Sequence, residues 1–140
     1  MMIAQLTNSA GELVNSNQAV YPAAFAGLDA DLTYTYRKGG FEQDVVLHEQ
    51  PPSPESFGLN PTNTRLQVLT EFFNPPNPKI KTHPLSRKSK INDITLRFGK
   101  SIMGNGKAFS FGTQTNTSPT STTIVTKNWL KLQGRTFLIE

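Results

Sequence analysis

The stretch that decides the fold is residues 28–50, LDADLTYTYRKGGFEQDVVLHEQ. Two runs of alternating apolar and polar residues flank Gly39-Gly40, a pattern typical of a β-hairpin. A two-residue loop, at either Gly39-Gly40 or Lys38-Gly39, sets apolar residues opposite apolar residues and cations opposite carboxylates, whereas a three-residue loop would mix the two faces. We therefore predict two antiparallel strands joined by a two-residue primed turn, with Gly39 and Gly40 at positive φ.

Further alternating runs lie on both sides of this hairpin. The strongest is residues 63–74, and others are residues 91–98, residues 102–111 split by a hairpin turn at Gly104-Asn105-Gly106, and residues 123–132 and 135–139 joined by Gln133-Gly134. The chain is also rich in Thr, Ser, Asn, Gly and Pro, which favours short strands joined by turns. We predict an all-β fold, an antiparallel β-sandwich of about eight to ten strands built from hairpins.

Length and composition bound the class of protein. The 140 residues suit one domain over residues 1–140, and strand-like sequence at both ends predicts that this domain is a segment of a longer polypeptide. Cysteine is absent, so disulfides, thiol nucleophiles and thiolate metal sites are excluded. No apolar run approaches the roughly 18 residues of a membrane span, and the first residues do not resemble a signal peptide.

The net charge of +4 hides a division along the chain. Residues 1–78 hold three Lys or Arg against eight Asp or Glu, and residues 79–140 hold eleven against two. Such asymmetry indicates either a surface for polyanions or two halves that lie against each other. The candidate residues for binding polyanions or nucleic acid lie in a basic loop at residues 79–90: Lys79, Lys81, Arg87, Lys88 and Lys90.

Tests for catalytic chemistry are negative. The run Gly104-Asn105-Gly106-Lys107 lacks the remaining features of a phosphate-binding loop. His48 is predicted on the hairpin face that carries Glu42 and Asp44, which we interpret as a solvated or partner-facing surface. The same-face pair Asp29 and Asp31 has the residue types for glycoside hydrolysis or a structural calcium, without further support from the sequence. We expect no enzyme, no catalytic residue, no cofactor and no metal site.

The aromatic residues divide into two groups. Alternation predicts that five phenylalanines pack in the core: Phe41, Phe72, Phe98, Phe109 and Phe111. Tyr36 and Trp129 lie among polar residues instead, and exposed rings can stack on sugars or bases. Tyr36 and Trp129 are therefore the candidate residues for carbohydrate binding.

Three runs carry a resemblance to known proteins: DLTYTY at residues 31–36, GFEQDVVL at residues 40–47 and TRLQVLTEFFNPP at residues 64–76. They resemble a β-rich segment of very large exported proteins of environmental bacteria, some of which carry RHS/YD-type repeats. The resemblance covers the middle half of the chain. It implies export and a modular parent protein, and it transfers no catalytic residue.

Together these observations predict a non-catalytic structural or interaction module of a large bacterial surface or secreted protein. Its partners would be neighbouring domains of the parent protein, and its location would be extracellular or at the cell surface. Carbohydrate binding is the second hypothesis, and binding of polyanions or nucleic acid through the basic loop is the third.

Overall fold

The computed structural model describes residues 1–85, 90–110 and 121–140, the side chain of Ser121 aside. Strand accounts for 54% of the structure, and every strand pair is antiparallel, so the all-β antiparallel prediction is confirmed. The described residues form fourteen strands in open sheets, more than the sequence predicted. The chain divides into two compact units, residues 1–64 and 65–140. The single sandwich domain stays a prediction, and each unit is described by itself.

The first unit contains a four-stranded sheet, a two-stranded sheet and a short 3-10 helix at Pro54–Phe57. The four-stranded sheet has the order β2-β3-β5-β6, and the two-stranded sheet pairs β1 with β4. The strands are β1 Gln5–Leu6, β2 Glu12–Asn15, β3 Gln18–Tyr21, β4 Phe25–Ala26, β5 Ala30–Arg37 and β6 Gly40–Leu47. Strand β5 pairs with β3 on one side and with β6 on the other, and its Ala30, Leu32, Thr33 and Thr35 are buried.

The central hairpin forms as predicted, with a different turn. Strands β5 and β6 pair from Arg37 opposite Gly40 to Ala30 opposite Leu47, so the two loop residues are Lys38 and Gly39. Neither Gly39 nor Gly40 has a positive φ, and the predicted primed turn with both glycines in that region is wrong. The loop includes Lys38, whose Cβ makes the left-handed φ region costly. The chain therefore turns with no loop residue at positive φ.

The second unit contains three sheets among the described residues. Their orders are β10-β9-β8, β13-β14-β7 and β11-β12. The strands are β7 Leu69–Phe72, β8 Lys79–Pro84, β9 Asn92–Phe98, β10 Ser101–Met103, β11 Gly106–Ser110, β12 Ser121–Val125, β13 Asn128–Leu132 and β14 Arg135–Ile139.

Two of the predicted strand arrangements in this unit are wrong, and one is confirmed. The run at residues 63–74 forms a strand only over Leu69–Phe72, where β14 supplies its partner. Residues 104–106 do not close a hairpin, because β10 pairs with β9 while β11 pairs with β12. The Gln133-Gly134 turn forms as predicted: both residues have positive φ, 50° and 78°, as a primed turn between two paired strands requires.

A cluster of aromatic rings fills part of the second unit. The ring centroid of Trp129 lies 5.2 Å from that of Phe72 and 5.6 Å from that of Phe98. These three rings join β7, β9 and β13. Phe109 is 49% exposed, so its predicted core position is wrong, and Phe111 lies outside the described residues. The strands here are short, and alternation alone did not show which face of each would be covered.

Candidate functional site

The candidate site is an exposed aromatic surface on one face of the four-stranded sheet. Side chains alternate across a strand, so Tyr34 and Tyr36 of β5 point to the same face. Tyr36 is directly opposite Phe41 of β6, which places Phe41 on that face too. Tyr36 is 64% exposed and Phe41 66% exposed. We call Tyr34, Tyr36 and Phe41 the aromatic shelf.

Two rings of the shelf, Tyr34 and Phe41, and the neighbouring ring of Tyr21 contact one another in a row. Tyr34 and Phe41 stack with ring centroids 5.3 Å apart and ring planes 22° apart. On its other side Tyr34 meets the edge of Tyr21, with centroids 6.0 Å apart and planes at 88°. Tyr34 is half-buried between its two neighbours, and these contacts fix the orientation of the central ring.

Phe41 is the main correction to the predicted core. The sequence placed it inside because it lies on the apolar face of the hairpin. That face assignment is right, but β6 is an edge strand and pairs only with β5 in the described part of the chain. No further strand of the described residues pairs with the outer edge of β6, and the ring of Phe41 is exposed.

Two shallow depressions flank Tyr34, with volumes of about 250 Å³ and 240 Å³. Both are smaller than the pockets of roughly 300–1,000 Å³ that enclose small ligands. This surface therefore suits a flat ligand laid across it better than one that is enclosed. The depression beside the two exposed rings is lined by Leu13, Ser16, Asn17, Gln18, Ala19, Tyr34, Tyr36 and Phe41.

Asn17, in the turn between β2 and β3, holds the exposed end of the shelf in place. Its carbonyl accepts the backbone N–H of Tyr36 at 2.8 Å, and its side-chain Nδ2 donates to the carbonyl of Tyr36 at 2.8 Å. The backbone N–H of Asn17 donates in turn to Asn15 Oδ1 at 3.1 Å. The backbone at Tyr36 is thus fixed beyond the last residue pair of β3 and β5.

The opposite face of the same sheet is charged. Arg37 pairs with Glu42 at 3.3 Å, and His48 Nε2 lies 2.9 Å from Asp31 Oδ2. Burial raises the pKa of Asp44, and the nearby charge of Glu42 adds to the effect. The contact with Asp31 places His48 on the face of Glu42 and Asp44, as predicted.

His48 and Asp31 form a partly exposed ion pair. The hydrogen bond and charge of Asp31 raise the pKa of His48. The backbone N–H of Ala23, followed by His48, lowers the pKa of Asp31. Among residues 1–85, 90–110 and 121–140, no group of three or more His, Cys, Asp or Glu is arranged to hold a metal ion.

The other candidate residues from the sequence lie in the second unit. Trp129 is half-buried and packs against Phe72 and Phe98, so its ring faces are in use within that unit. The predicted basic loop is wrong over Lys79–Pro84, because these residues pair with β9 and form strand β8. Lys79 and Lys81 are exposed and share one face of β8, and Lys90 is also exposed. Arg87 and Lys88 lie outside the described residues. Only Tyr36 of the predicted set belongs to the shelf.

Sequence reasoning missed Phe41 and Asn17 as parts of this surface. The available signal for Phe41 was its place beside the Gly-Gly pair, opposite Tyr36, near the tip of a hairpin where core coverage ends. Asn17 gave no signal beyond its turn-forming residue type.

Comparisons with protein-family models, with curated proteins and with solved structures find no match to this chain. In the described residues, the search for membrane spans finds no helix with the length and apolar character to cross a bilayer.

Proposed function

We propose that this chain is a non-catalytic interaction module of a large bacterial surface or secreted protein, and that the aromatic shelf is its binding surface. The observation that carries the proposal is the exposure of Tyr36 and Phe41, side by side on an otherwise ordered sheet. Exposed apolar patches of this kind often mark binding sites, because leaving large rings in water has no benefit for folding.

Carbohydrate is the ligand class that fits the shelf best. Aromatic ring faces stack on the apolar face of a sugar ring, and amides next to them can bond its hydroxyls. Asn17 lines the depression beside the rings, and Gln43 is directly opposite Tyr34 on the same face. The residues that line this depression carry no charge, which favours a neutral glycan over a polyanion.

The resemblance supports the proposed location at the cell surface or outside the cell. In a modular exported protein, neighbouring domains would be the other partners of this chain. The exposed lysines Lys79, Lys81 and Lys90 support a separate test for polyanion binding, because they do not belong to the shelf.

The test is a glycan array followed by affinity electrophoresis in the polysaccharides that score. The wild-type chain should bind, and Tyr36→Ala and Phe41→Ala should each weaken binding by about tenfold, which corresponds to about 1.4 kcal/mol. The matched control is Phe73→Ala, since Phe73 is 83% exposed and lies in the other unit. Added salt should change binding little, because stacking does not release counterions.

Three outcomes would count against the proposal or part of it. Binding that survives the double variant Tyr36→Ala/Phe41→Ala would rule out the shelf. Equal loss in Phe73→Ala would indicate a general effect on folding or solubility. Retention on heparin that falls steeply with salt and disappears in Lys79→Ser/Lys81→Ser would favour the polyanion hypothesis instead.

A further inference from the structure

The second unit buries a lysine and an aspartate against each other. Lys127 is 1% exposed and Asp93 is 0% exposed. Lys127 Nζ lies 2.8 Å from Asp93 Oδ2, and the backbone N–H of Lys127 donates to Asp93 Oδ1 at 2.8 Å. One carboxylate therefore receives both the side chain and the main chain of the same lysine, which holds the two groups in a single geometry.

A buried ion pair of this kind adds little to the stability of a fold. Lysine and aspartate are almost never fully buried unless they are paired. Even when they are paired, the cost of removing both charges from water often equals or exceeds the attraction between them, and apolar residues of similar size would serve as well. The pair at Lys127 and Asp93 thus calls for a further explanation.

A third ionisable group, Glu140, interacts electrostatically with the pair. Glu140 is held by two backbone hydrogen bonds with Val68, at 2.9 Å and 3.0 Å. Its side chain lies over Gly106, where a Cβ would be 3.5 Å from Glu140 Oε1. Burial raises the pKa of Glu140, and the charges of Lys127 and Asp93 both act on it.

The placement of these acids is selective. Residues 79–140 contain eleven Lys or Arg and two acidic residues, Asp93 and Glu140. Lys127 is the single lysine that is fully buried among the described residues, and it contacts Asp93 directly and acts on Glu140 through its charge. The result is a fully buried amine and carboxyl group, with a second, half-buried carboxyl group on which their charges act.

We propose that Lys127 and Asp93 become joined by an intramolecular isopeptide bond, with Glu140 carrying the proton that the reaction must move. The Nζ atom of Lys127 is already in contact with a carboxyl oxygen that is bonded to the carbon it would attack. Fixed contact of this kind replaces a bimolecular encounter and lowers the barrier to bond formation.

The reaction balances without another reactant. An ammonium proton of Lys127 passes to the carboxylate of Asp93, which gives a neutral amine and a carboxylic acid. The amine lone pair forms the N–C bond to Cγ, Glu140 transfers a proton from nitrogen to the departing oxygen, and the C–O bond breaks. The products are one amide and one water molecule, and no group is oxidised or reduced.

The surroundings of Asp93 decide the cost of the first proton transfer. Burial raises the pKa of Asp93, but hydrogen bonds from the side chain and backbone of Lys127 outweigh burial and leave that pKa below its usual value. Asp93 therefore starts as the carboxylate. Moving a proton onto the carboxylate of Asp93 therefore costs more here than in water, and the fixed contact with Lys127 Nζ is what must offset that cost.

The bond would be a cross-link in a chain that has no cysteine for a disulfide. It would join β9 to the residue before β13, 34 positions along the chain, and so connect the sheet β10-β9-β8 with the sheet β13-β14-β7. Closing a loop of this length removes conformations from the unfolded chain in the same way as a disulfide. This inference does not rest on the proposed ligand.

The experiment is mass spectrometry of the whole purified chain. The expected intact mass is lower than the sequence mass by one water molecule, and tryptic digestion should give a branched peptide that joins Asp93 to Lys127. Lys127→Arg should restore the full sequence mass, because a guanidinium does not react. Asp93→Asn should lose ammonia rather than water when it forms the same bond.

Other results would overturn the proposal. A wild-type chain that is folded by circular dichroism and keeps the full sequence mass has no such bond, whatever the variants do. A loss of water that persists in Lys127→Arg would indicate a succinimide elsewhere. For the role of Glu140, Glu140→Gln should fold and show slowed bond formation, and a rate equal to wild type would reject Glu140 as the proton carrier.

Discussion

Asp31 and His48 join the start of β5 to the residue that follows β6, with His48 Nε2 2.9 Å from Asp31 Oδ2. The other carboxylate oxygen of Asp31 accepts the backbone N–H of Ala23 at 2.9 Å. Ala23 has a positive φ of 46°, a conformation that costs energy for a residue with a Cβ. One carboxylate therefore holds a strained turn and pairs with a titratable side chain at once.

This arrangement predicts a pH-dependent stability that His48→Gln should reduce, while the hydrogen bond from Ala23 to Asp31 keeps part of it. The pKa of His48 is raised, so its contribution is fully present below its ordinary value of 6.5 and is lost as the pH rises through the raised pKa. The pKa of Asp31 is lowered, so its contribution is present above 3.8 and is lost as the pH falls through the lowered pKa.

The difference in melting temperature between wild type and His48→Gln should therefore be largest between pH 3.8 and 6.5 and should shrink at alkaline pH. Thermal denaturation over a series of buffers measures it, with Glu49→Gln as a neighbouring exposed control. A difference that is the same at pH 5 and pH 9 would contradict the ion pair.

Gly27→Ala should destabilise the chain by about 2–4 kcal/mol. Gly27 has a φ of 92°, and a Cβ there would lie 2.6 Å from the backbone oxygen of Ile3, which cannot move away as a flexible side chain could. The control is Gly39→Ala, because Gly39 has no positive φ and no atom within 4 Å of an added Cβ. Urea denaturation of the two variants measures the contrast, and equal losses would show that the clash is relieved.

Leu96→Ala should cost about 2–5 kcal/mol, because it leaves a cavity at a side chain with no exposure. Its cross-strand partner Ile80 is 51% exposed, and Ile80→Ala should cost about 1 kcal/mol or less. The measurement is the free energy of unfolding from denaturant titration. Similar values for the two variants would place the core of the second unit elsewhere.

Asn17→Ala should lower stability by about 0.5–1.5 kcal/mol through the lost hydrogen bond to the carbonyl of Tyr36. The same variant should weaken ligand binding, because Tyr36 would lose part of its support. Gln43→Ala is the matched control for stability. Gln43 lies on the same sheet face as Tyr36, and its side chain makes no hydrogen bond in the described structure. A loss of stability as large in Gln43→Ala would remove the special role of Asn17.

Local sequence determined the hairpin of β5 and β6 and the turn at Gln133-Gly134. Alternation fixed which residues share a face, because side chains of a strand point alternately to its two sides. It also fixed the length of the central loop, since only a two-residue loop keeps the faces separate. The type of that turn was not determined, because Lys38-Gly39 and Gly39-Gly40 give the same faces.

The extent and partners of the other strands depended on the tertiary structure. Residues 63–74 alternate over their whole length, yet only Leu69–Phe72 meets β14 and becomes a strand. Residues 106–110 pair with β12 rather than with the nearer β10. A strand is completed by hydrogen bonds to a partner, and the partner can lie far away in sequence, so periodicity within one run cannot select it.

The two proposed sites also depended partly on local sequence and partly on the tertiary structure. The sequence marked Tyr36 as a candidate for stacking, but the exposure of Phe41 followed from the position of β6 at a sheet edge. Asp93, Lys127 and Glu140 are separated by 34 and 13 positions, and their residue types alone describe ordinary surface charges. Packing of the second unit brought them together and removed the pair from water, because burial is a property of the folded chain rather than of any run of residues.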